Sequence, residues 1–510
     1  MAEEALAPPP SSQKISMIKV IEYLGNKLPH PFMMFFYLSL FVMAASYLGS
    51  QSGIQVTHPS TGETVAIQNL LSQAGLTWIL TNLLTNFTSF KPLGLVLGML
   101  LGIGLAERVG LIQVALKTIL MRVPARSLTF MVFITGIIGN LASDAALVII
   151  PPLAAMMFHS VGRHPIAGLA AGFAGVSSGF TANIFITGTD ALLSGITSEV
   201  LIGSAQSLEV TPLSNWFFMS FSVLFLGGIG VFVTEKIIIP RLGQYKGTVP
   251  FEKISISRDE KRGLVAAAVA SLVYGALILS MVYPEQGILR HPETGSITGS
   301  PFLKGIVPIL IGYFIVVATI YGKITGKIKR AADIPNMMGE AIATLAPFIV
   351  MVFACAQFIA FFKWSNLGIF VAVSGAEFLN NANLSGLPLI IGFILIAALL
   401  NIVITSGSAQ WALMAPIFVP MLMLLDYHPA FIQLCFRIAD SSTNTISPLN
   451  AYVPMILVFM QKYDKSLGLG NLLSLMMPFA AIFLTTWILL MLFWLSMGWP
   501  VGVDAPIYLP

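Results

Sequence analysis

Two apolar stretches of this chain carry the same polar interruptions at the same spacing. The first reads SDAALVIIPP from Ser143 to Pro152, then HPIAGLAAGFAGVSSGFTAN from His164 to Asn183. The second reads SAQWALMAPI from Ser408 to Ile417, then HPAFIQLCFRIADSSTNTIS from His428 to Ser447. Ser143 leads Pro151 by eight residues, and Ser408 leads Pro416 by eight. His164-Pro165 precedes Ser177-Ser178 by the interval that separates His428-Pro429 from Ser441-Ser442. One residue of insertion distinguishes the copies. Apolar segments interrupted by Gly, Pro, Ser and Asn at matching places in two halves point to broken helices around a transport site.

Hydrophobic residues make up 56% of the chain and charged residues 9%, against about 25% charged in soluble domains. The fold class this implies is an all-α polytopic membrane protein. Apolar segments at about 31–48, 76–106, 166–195, 214–239, 263–283, 302–321, 338–363, 427–460 and 473–497 read as nine transmembrane helices. Two further stretches, 127–158 and 385–425, are too long for one span and have polar centres, Gly139–Asp144 and Thr405–Gln410. Each reads as a re-entrant helical hairpin, because irregular backbone at membrane depth needs protein or a water-filled cavity to satisfy it. Residues 109–125 and 366–381 have amphipathic helical spacing and read as interfacial linkers. The chain then divides into a cytoplasmic segment 1–28, a scaffold 29–126, a first repeat 127–195, a second scaffold and dimerisation region 196–384, a second repeat 385–460 and a final span 461–510. The run from Pro31 to Tyr47 serves as an uncleaved first span.

Charge tests that count. Basic residues cluster around Lys14 to Lys27, Arg108 to Arg126, Arg163, Arg241 to Arg262, Lys323 to Arg330 and Lys462 to Lys465. With the N-terminus cytoplasmic and both hairpins re-entrant, every cluster falls inside, as the positive-inside bias requires. The loops 49–75, 196–212 and 284–300 fall outside and share one basic residue, Arg290. The two hairpins then open from opposite sides, an inverted-repeat architecture suited to alternating access.

Charged groups at mid-membrane are expensive and functional by default. Asp144 lies in the first hairpin tip, Asp190 beyond the first break and Asp440 beside the second. Arg437 precedes Asp440 by three, so the two share a helix face and either neutralise each other or divide the work. In the second case Asp440 handles a cation or proton and Arg437 holds an anionic substrate group. Asn140, Ser143, Asp144, Asn183, Asn401, Asp440 and Asn444 are candidate ion ligands, with Na⁺ expected at Asn401 and Asp440, since hard cations want oxygen. Individual Ser and Thr residues also serve helix packing. Trp411 is not at a span end, so it either stacks on an aromatic substrate or packs. His164 and His428 read as interfacial residues, and Cys355 and Cys435 as small core hydrophobes. Pro151, Pro152, Pro416 and Pro420 in the hairpin exit arms, and Pro429 and Pro448 bracketing the second broken helix, permit bends.

The chain has no Walker A loop, HExxH, GxGxxG or paired cysteines. No catalysis and no cofactor are expected, and transport must be driven by an ion gradient, Na⁺ or H⁺. A channel would keep the breaks as a fixed pore; a membrane hydrolase would need a histidine near Ser143, Asp144 and Asp440.

The stretches GNKLPHP (25–31), GNLASDAALVIIPPLAAMM, SSGFTANIFITGTDALLSGI, SGSAQWALMAPIFVPML and FRIADSSTNTISPLNAYVPMI together resemble the p-aminobenzoyl-glutamate transporter (AbgT) family of the ion transporter superfamily, over nearly the whole chain. The resemblance implies a bowl-shaped homodimer in the bacterial inner membrane, with a basin open to the cytoplasm. It implies handling of p-aminobenzoyl-glutamate and related folate-pathway compounds, efflux of sulfonamides, and no nucleic-acid partner. It places substrate and ion residues at Asp190, Asn401, Ser408, Trp411, Pro429, Arg437, Asp440 and Pro448. The alternative on the same architecture is an Na⁺-coupled dicarboxylate or citrate carrier.

Overall fold

The computed structural model describes residues 29–57, 64–121, 123–142, 144–202, 208–247, 255–297, 299–382 and 386–509. The expected cytoplasmic segment 1–28 and the candidate ligand Ser143 lie outside these residues. Among the described residues, seven stretches are helical, long and apolar enough to cross a membrane: Pro31–Gln51, Gln73–Arg108, Trp216–Leu242, Arg258–Val282, Ile306–Ile324, Ala346–Trp364 and Leu469–Ser496. In order, the main helices are α1 (Pro31–Gln51), α2 (Gln73–Thr88), α3 (Lys91–Arg108), α4 (Leu111–Met121), α5 (Leu128–Gly139), α6 (Asp144–Ser160), α7 (Pro165–Ser177), α8 (Gly188–Leu201) and α9 (Trp216–Val233). They continue with α10 (Arg258–Val282), α11 (Ile306–Ile324), α12 (Asp333–Ala343), α13 (Ala346–Trp364), α14 (Leu367–Asn381), α15 (Leu387–Val403), α16 (Gly407–Met423), α17 (Pro429–Thr443), α18 (Val453–Gln461) and α19 (Leu469–Ser496).

Two segments expected as single spans are broken. The 76–106 segment divides between α2 and α3, and 338–363 between α12 and α13. The cause is the same in both. α2 ends at Thr88, four residues before Pro92, and α12 ends at Ala343, four residues before Pro347. A proline offers no N–H to the carbonyl four residues earlier, and its ring clashes with that carbonyl. The loop after α1 holds an antiparallel pair, β1 (Gln55–Thr57) and β2 (Thr64–Ala66), which the apolar pattern did not signal.

The two copies fold alike. α5 leads through a turn of 3-10 helix into α6, and α15 through Ile404–Ser406 into α16. α7 and α17 follow, and each ends near its serine pair, Ser177-Ser178 or Ser441-Ser442. Each opens on His-Pro. His164 Nδ1 accepts from Ile166 N at 3.3 Å, and His428 Nδ1 accepts from Ala430 N at 3.2 Å. Proline then takes the first helical position, where a missing N–H costs nothing. Both histidines are therefore helix caps.

α7 and α17 form the centre of the molecule, and every residue of both is buried. α7 achieves this with small residues. A Cβ on Gly136 of α5 would sit 3.0 Å from the backbone of Gly175, so the α5 and α7 backbones meet where neither has a side chain. α17 instead buries Gln433, Arg437, Asp440, Ser441, Ser442 and Thr443. Burying polar groups is unfavourable unless they are hydrogen-bonded, so α17 must be surrounded by partners.

Candidate functional site

Some of those partners come from the other copy, and the rest from the scaffold and from α15. Between α7 and α8 the chain is non-helical from Ser178 to Thr187, and after α17 a 3-10 turn, Asn444–Ile446, opens a second break. The breaks touch. Thr181 Oγ1 and Ser441 Oγ lie 2.7 Å apart, Thr181 N donates to Ser441 Oγ at 3.1 Å, and Ser178 Oγ and Thr445 Oγ1 lie 3.0 Å apart. The expected serines and threonines thus satisfy one another across the repeat junction.

Arg437 is the charged centre of this junction. It is 1% exposed, and its Nη2 donates to Asp190 Oδ1 at 2.5 Å and to Thr181 O at 2.7 Å. Asp190 is held in turn by Thr187, whose N and Oγ1 donate to its Oδ2 at 2.7 and 2.8 Å as part of the capping box that starts α8. Among the described residues the ion-pair partner of Arg437 is therefore Asp190, and mutual neutralisation with Asp440 is not what the fold uses. Removing one member of so buried a pair typically costs about 3–5 kcal/mol. Arg437 Nε is buried without a partner, which leaves one donor of the fork available to an anion.

Asp440 is directed to the start of α16. Its Oδ1 lies 2.6 Å from where a Cβ on Gly407 would sit, and Gly407 is the first residue of α16. A carboxylate at a helix N-terminus is favoured by the aligned peptide dipoles. Ser406 caps the same helix, and its Oγ lies 3.2 Å from Ser408 Oγ.

The two asparagines repeat one pattern. Asn140 Nδ2 donates to Val176 O at 2.9 Å, and Asn401 Nδ2 donates to Asp440 O at 2.6 Å. Val176 and Asp440 occupy equivalent positions, each twelve residues after the His of its copy. Asn401 Nδ2 also reaches Thr443 Oγ1 and Asn444 Oδ1 at 3.0 and 3.1 Å. In both asparagines Oδ1 is buried with no partner. An orphaned amide oxygen is unfavourable by about 1–3 kcal/mol, and a hard cation seeks such an oxygen. Asn183 Nδ2 contacts Thr181 O and Thr187 Oγ1 at 3.3 and 3.4 Å.

Trp411 is fully buried and stacks on Phe436 with ring centroids 4.7 Å apart. Its Nε1 donates to Thr197 Oγ1 at 3.0 Å. In this conformation the indole is closed to any substrate. Pro429 opens α17, and Pro448 is half-buried in the second break. Asp144 begins α6. Thr197, Asn215 and Gln433, all buried and hydrogen-bonded into this centre, were not singled out from the sequence. A lone amide or hydroxyl among apolar residues was the only signal available.

The fold that carries this arrangement is shared with solved structures. The chain superposes on the Alcanivorax borkumensis YdaH transporter with a TM-score of 0.89 at 35% identity, covering 93% of this chain and 100% of that one. It superposes on Neisseria gonorrhoeae MtrF, described within a class of antimetabolite efflux pumps, with a TM-score of 0.89 at 44% identity, covering 94% and 97%. It is 45% identical to the p-aminobenzoyl-glutamate transport protein of Escherichia coli (strain K12) over 494 residues, 97% of each chain. The dicarboxylate alternative gains no support from these matches. Residues 16–509 match the model of the AbgT putative transporter family, and the chain belongs to that family of membrane transporters, not to the enzymes.

Proposed function

We propose that the protein is an ion-coupled secondary transporter of p-aminobenzoyl-glutamate and related folate-pathway compounds, and that it exports sulfonamide antimetabolites by alternating access. The observation that carries this reading is a register. Asp190 pairs with Arg437, and Thr197 Oγ1 donates to Gln433 Oε1 at 2.6 Å. Numbers rise along α8 as they fall along α17, so the two helices run antiparallel. Antiparallel broken helices from two sequence copies support an inverted repeat, with nine spans and two re-entrant hairpins opening from opposite sides. The positive-inside pattern supports a cytoplasmic N-terminus in the bacterial inner membrane.

In this reading the substrate's aromatic amine meets Trp411 and its carboxylate meets the free edge of Arg437. Na⁺ or H⁺ is handled at Asn401 and Asp440, with Asn140 and Asn183 serving the first repeat. Apolar side chains exposed along α10, such as Leu272 at 75% and Val265 at 65%, are available to lipid or to the second subunit of a homodimer. The deciding experiment is transport of p-aminobenzoyl-glutamate by purified protein in liposomes under separately imposed Na⁺ and proton gradients. Saturable accumulation driven by one gradient is expected. Flux that stays linear with concentration and ignores both gradients would make the protein a channel, and preference for succinate over the aromatic substrate would restore the dicarboxylate reading.

A further inference from the structure

A chain of buried hydrogen bonds runs between Trp411 and Arg437 through three residues to which no role has been given. Trp411 Nε1 donates to Thr197 Oγ1 at 3.0 Å, and Thr197 Oγ1 bonds Gln433 Oε1 at 2.6 Å. Gln433 Nε2 donates to Asn215 Oδ1 at 2.9 Å, and Arg437 Nη1 donates to the same oxygen at 3.3 Å. Asn215 Nδ2 donates to Ala430 O at 2.8 Å, which fixes that amide to α17. None of the five side chains is more than 1% exposed. The path draws on α8, α16, α17 and the residue capping α9.

The direction of the bonds is set by two fixed groups, the Arg437 guanidinium and the Ala430 carbonyl, which both orient Asn215 in the same sense. A guanidinium only donates, so the Asn215 atom facing Arg437 must be oxygen. Gln433 must then turn its NH₂ group to that oxygen, which leaves its carbonyl facing Thr197. A carbonyl only accepts, so the single Thr197 proton goes to Gln433 Oε1 at 2.6 Å in preference to Leu193 O at 3.0 Å, and a lone pair is left for the indole N–H, which can only donate. No link can reverse while Arg437 and Ala430 O hold Asn215 in this orientation. Chains of bonds polarised in one sense strengthen one another in a low-dielectric interior.

We infer that Asn215, Gln433 and Thr197 are positioning residues that couple the guanidinium of Arg437 to the indole of Trp411, so that engaging a carboxylate at one end reorients the aromatic end. This deepens the proposed function by naming what joins the two halves of an aromatic, carboxylate-bearing substrate.

The test uses full-length protein labelled with fluorotryptophan and read by fluorine NMR. The chain has seven tryptophans, and Trp411→Phe identifies the resonance of Trp411. In the parent, Arg437→Lys is expected to move that resonance. In a Gln433→Met background, where the path is cut by a side chain of similar volume, Arg437→Lys is expected to leave it in place. An unmoved resonance in the parent, or the same displacement in both backgrounds, as transmission through Phe436 would give, overturns the proposal. Thr197→Val replaces Gln433→Met if the latter does not fold. In transport assays Thr197→Val should raise KM for p-aminobenzoyl-glutamate about threefold to tenfold, and Thr197→Ser, which restores the hydroxyl, should return it to the parent value. No recovery with serine assigns Thr197 to packing and overturns its part. Failure of the parent to transport the substrate at all would instead sink the proposed function and leave the NMR result standing.

Discussion

Arg437 and Asp190 meet at 2.5 Å although 247 residues separate them, while Asp440, three residues further along the same helix as Arg437, turns to the start of α16. The two carboxylates near Arg437 therefore do different work. Asp190 neutralises the guanidinium across the repeat junction, and Asp440 sits where α16 begins.

The first prediction concerns that pair. Asp190→Leu should destabilise the protein by about 3–5 kcal/mol, because it strands a buried guanidinium. Adding Arg437→Met should recover most of that loss, since a buried ion pair replaced by apolar groups is often neutral in stability. Transport should stay absent in both variants. Thermal melts in detergent with liposome transport decide it. A double variant no more stable than Asp190→Leu would mean that the pair does not carry the charge balance of the junction.

Gly407→Ala tests the seat of Asp440. Alanine normally favours a helix over glycine by about 1 kcal/mol, so local propensity predicts a harmless or stabilising change. Here the new methyl would lie 2.6 Å from Asp440 Oδ1, and the carboxylate would have to leave the end of α16. Transport should fall at least about tenfold, a barrier change near 1.4 kcal/mol, with the melting temperature scarcely altered. Unchanged transport would show that the position of Asp440 does not matter to the cycle.

The unpartnered oxygens of Asn140 and Asn401 predict a salt-specific stability. If both are cation ligands, NaCl should raise the melting temperature more than KCl or choline chloride at equal ionic strength, because whatever binds only the folded state stabilises it. Asn401→Ala and Asn140→Ala should each reduce the difference. Identical melting in all three salts would favour a proton as the coupling ion.

Much of this site was legible because the sequence states it twice. The His-Pro and Ser-Ser pairs lie thirteen residues apart in both copies, and they bound α7 and α17. The breaks were legible for the same reason. The partner of Arg437 was not, because spacing reports only neighbours on one's own helix, and Asp190 arrives from another. Asn215 and Gln433 escaped notice since one amide among apolar residues looks the same whether it packs or relays. The breaks before Pro92 and Pro347 were visible in principle, but each lay within a run apolar enough to read as one span.

Acid should weaken the fold through His164, in the loop ahead of α7. Burial is the larger influence on this imidazole and lowers its pKa from the ordinary 6.5, while Asp464 pulls the other way. The folded state then binds fewer protons than the unfolded one, so its contribution is intact above about pH 6.5 and is lost as pH falls below that value. The geometry agrees, since a protonated Nδ1 can no longer accept from Ile166 N. His164→Asn keeps a cap acceptor that does not titrate, so its melting temperature should decline less between pH 7 and pH 5 than the parent's. Parallel declines would assign the acid sensitivity elsewhere.

The C-terminal tail is part of the machinery that holds α17. Phe218 N donates to Val501 O at 3.1 Å and Val503 N to Leu213 O at 3.2 Å, which ties the tail to the start of α9. His428 N donates to Ile507 O at 2.9 Å and Leu509 N to Asp426 O at 2.8 Å, which ties it to the turn entering α17. Val501 and Ile507 are buried beneath these bonds. The tail thus braces the two helices that supply Asn215, Gln433 and Arg437. Deleting residues 499–510 removes the four main-chain bonds that join the tail to the rest of the protein, each worth about 1 kcal/mol net, and uncovers apolar surface. The melting temperature should drop by several degrees, and KM for p-aminobenzoyl-glutamate should rise because α17 loses the anchor at its capped end. A truncated protein with the parent's melting temperature and KM would show that the tail is only a cover.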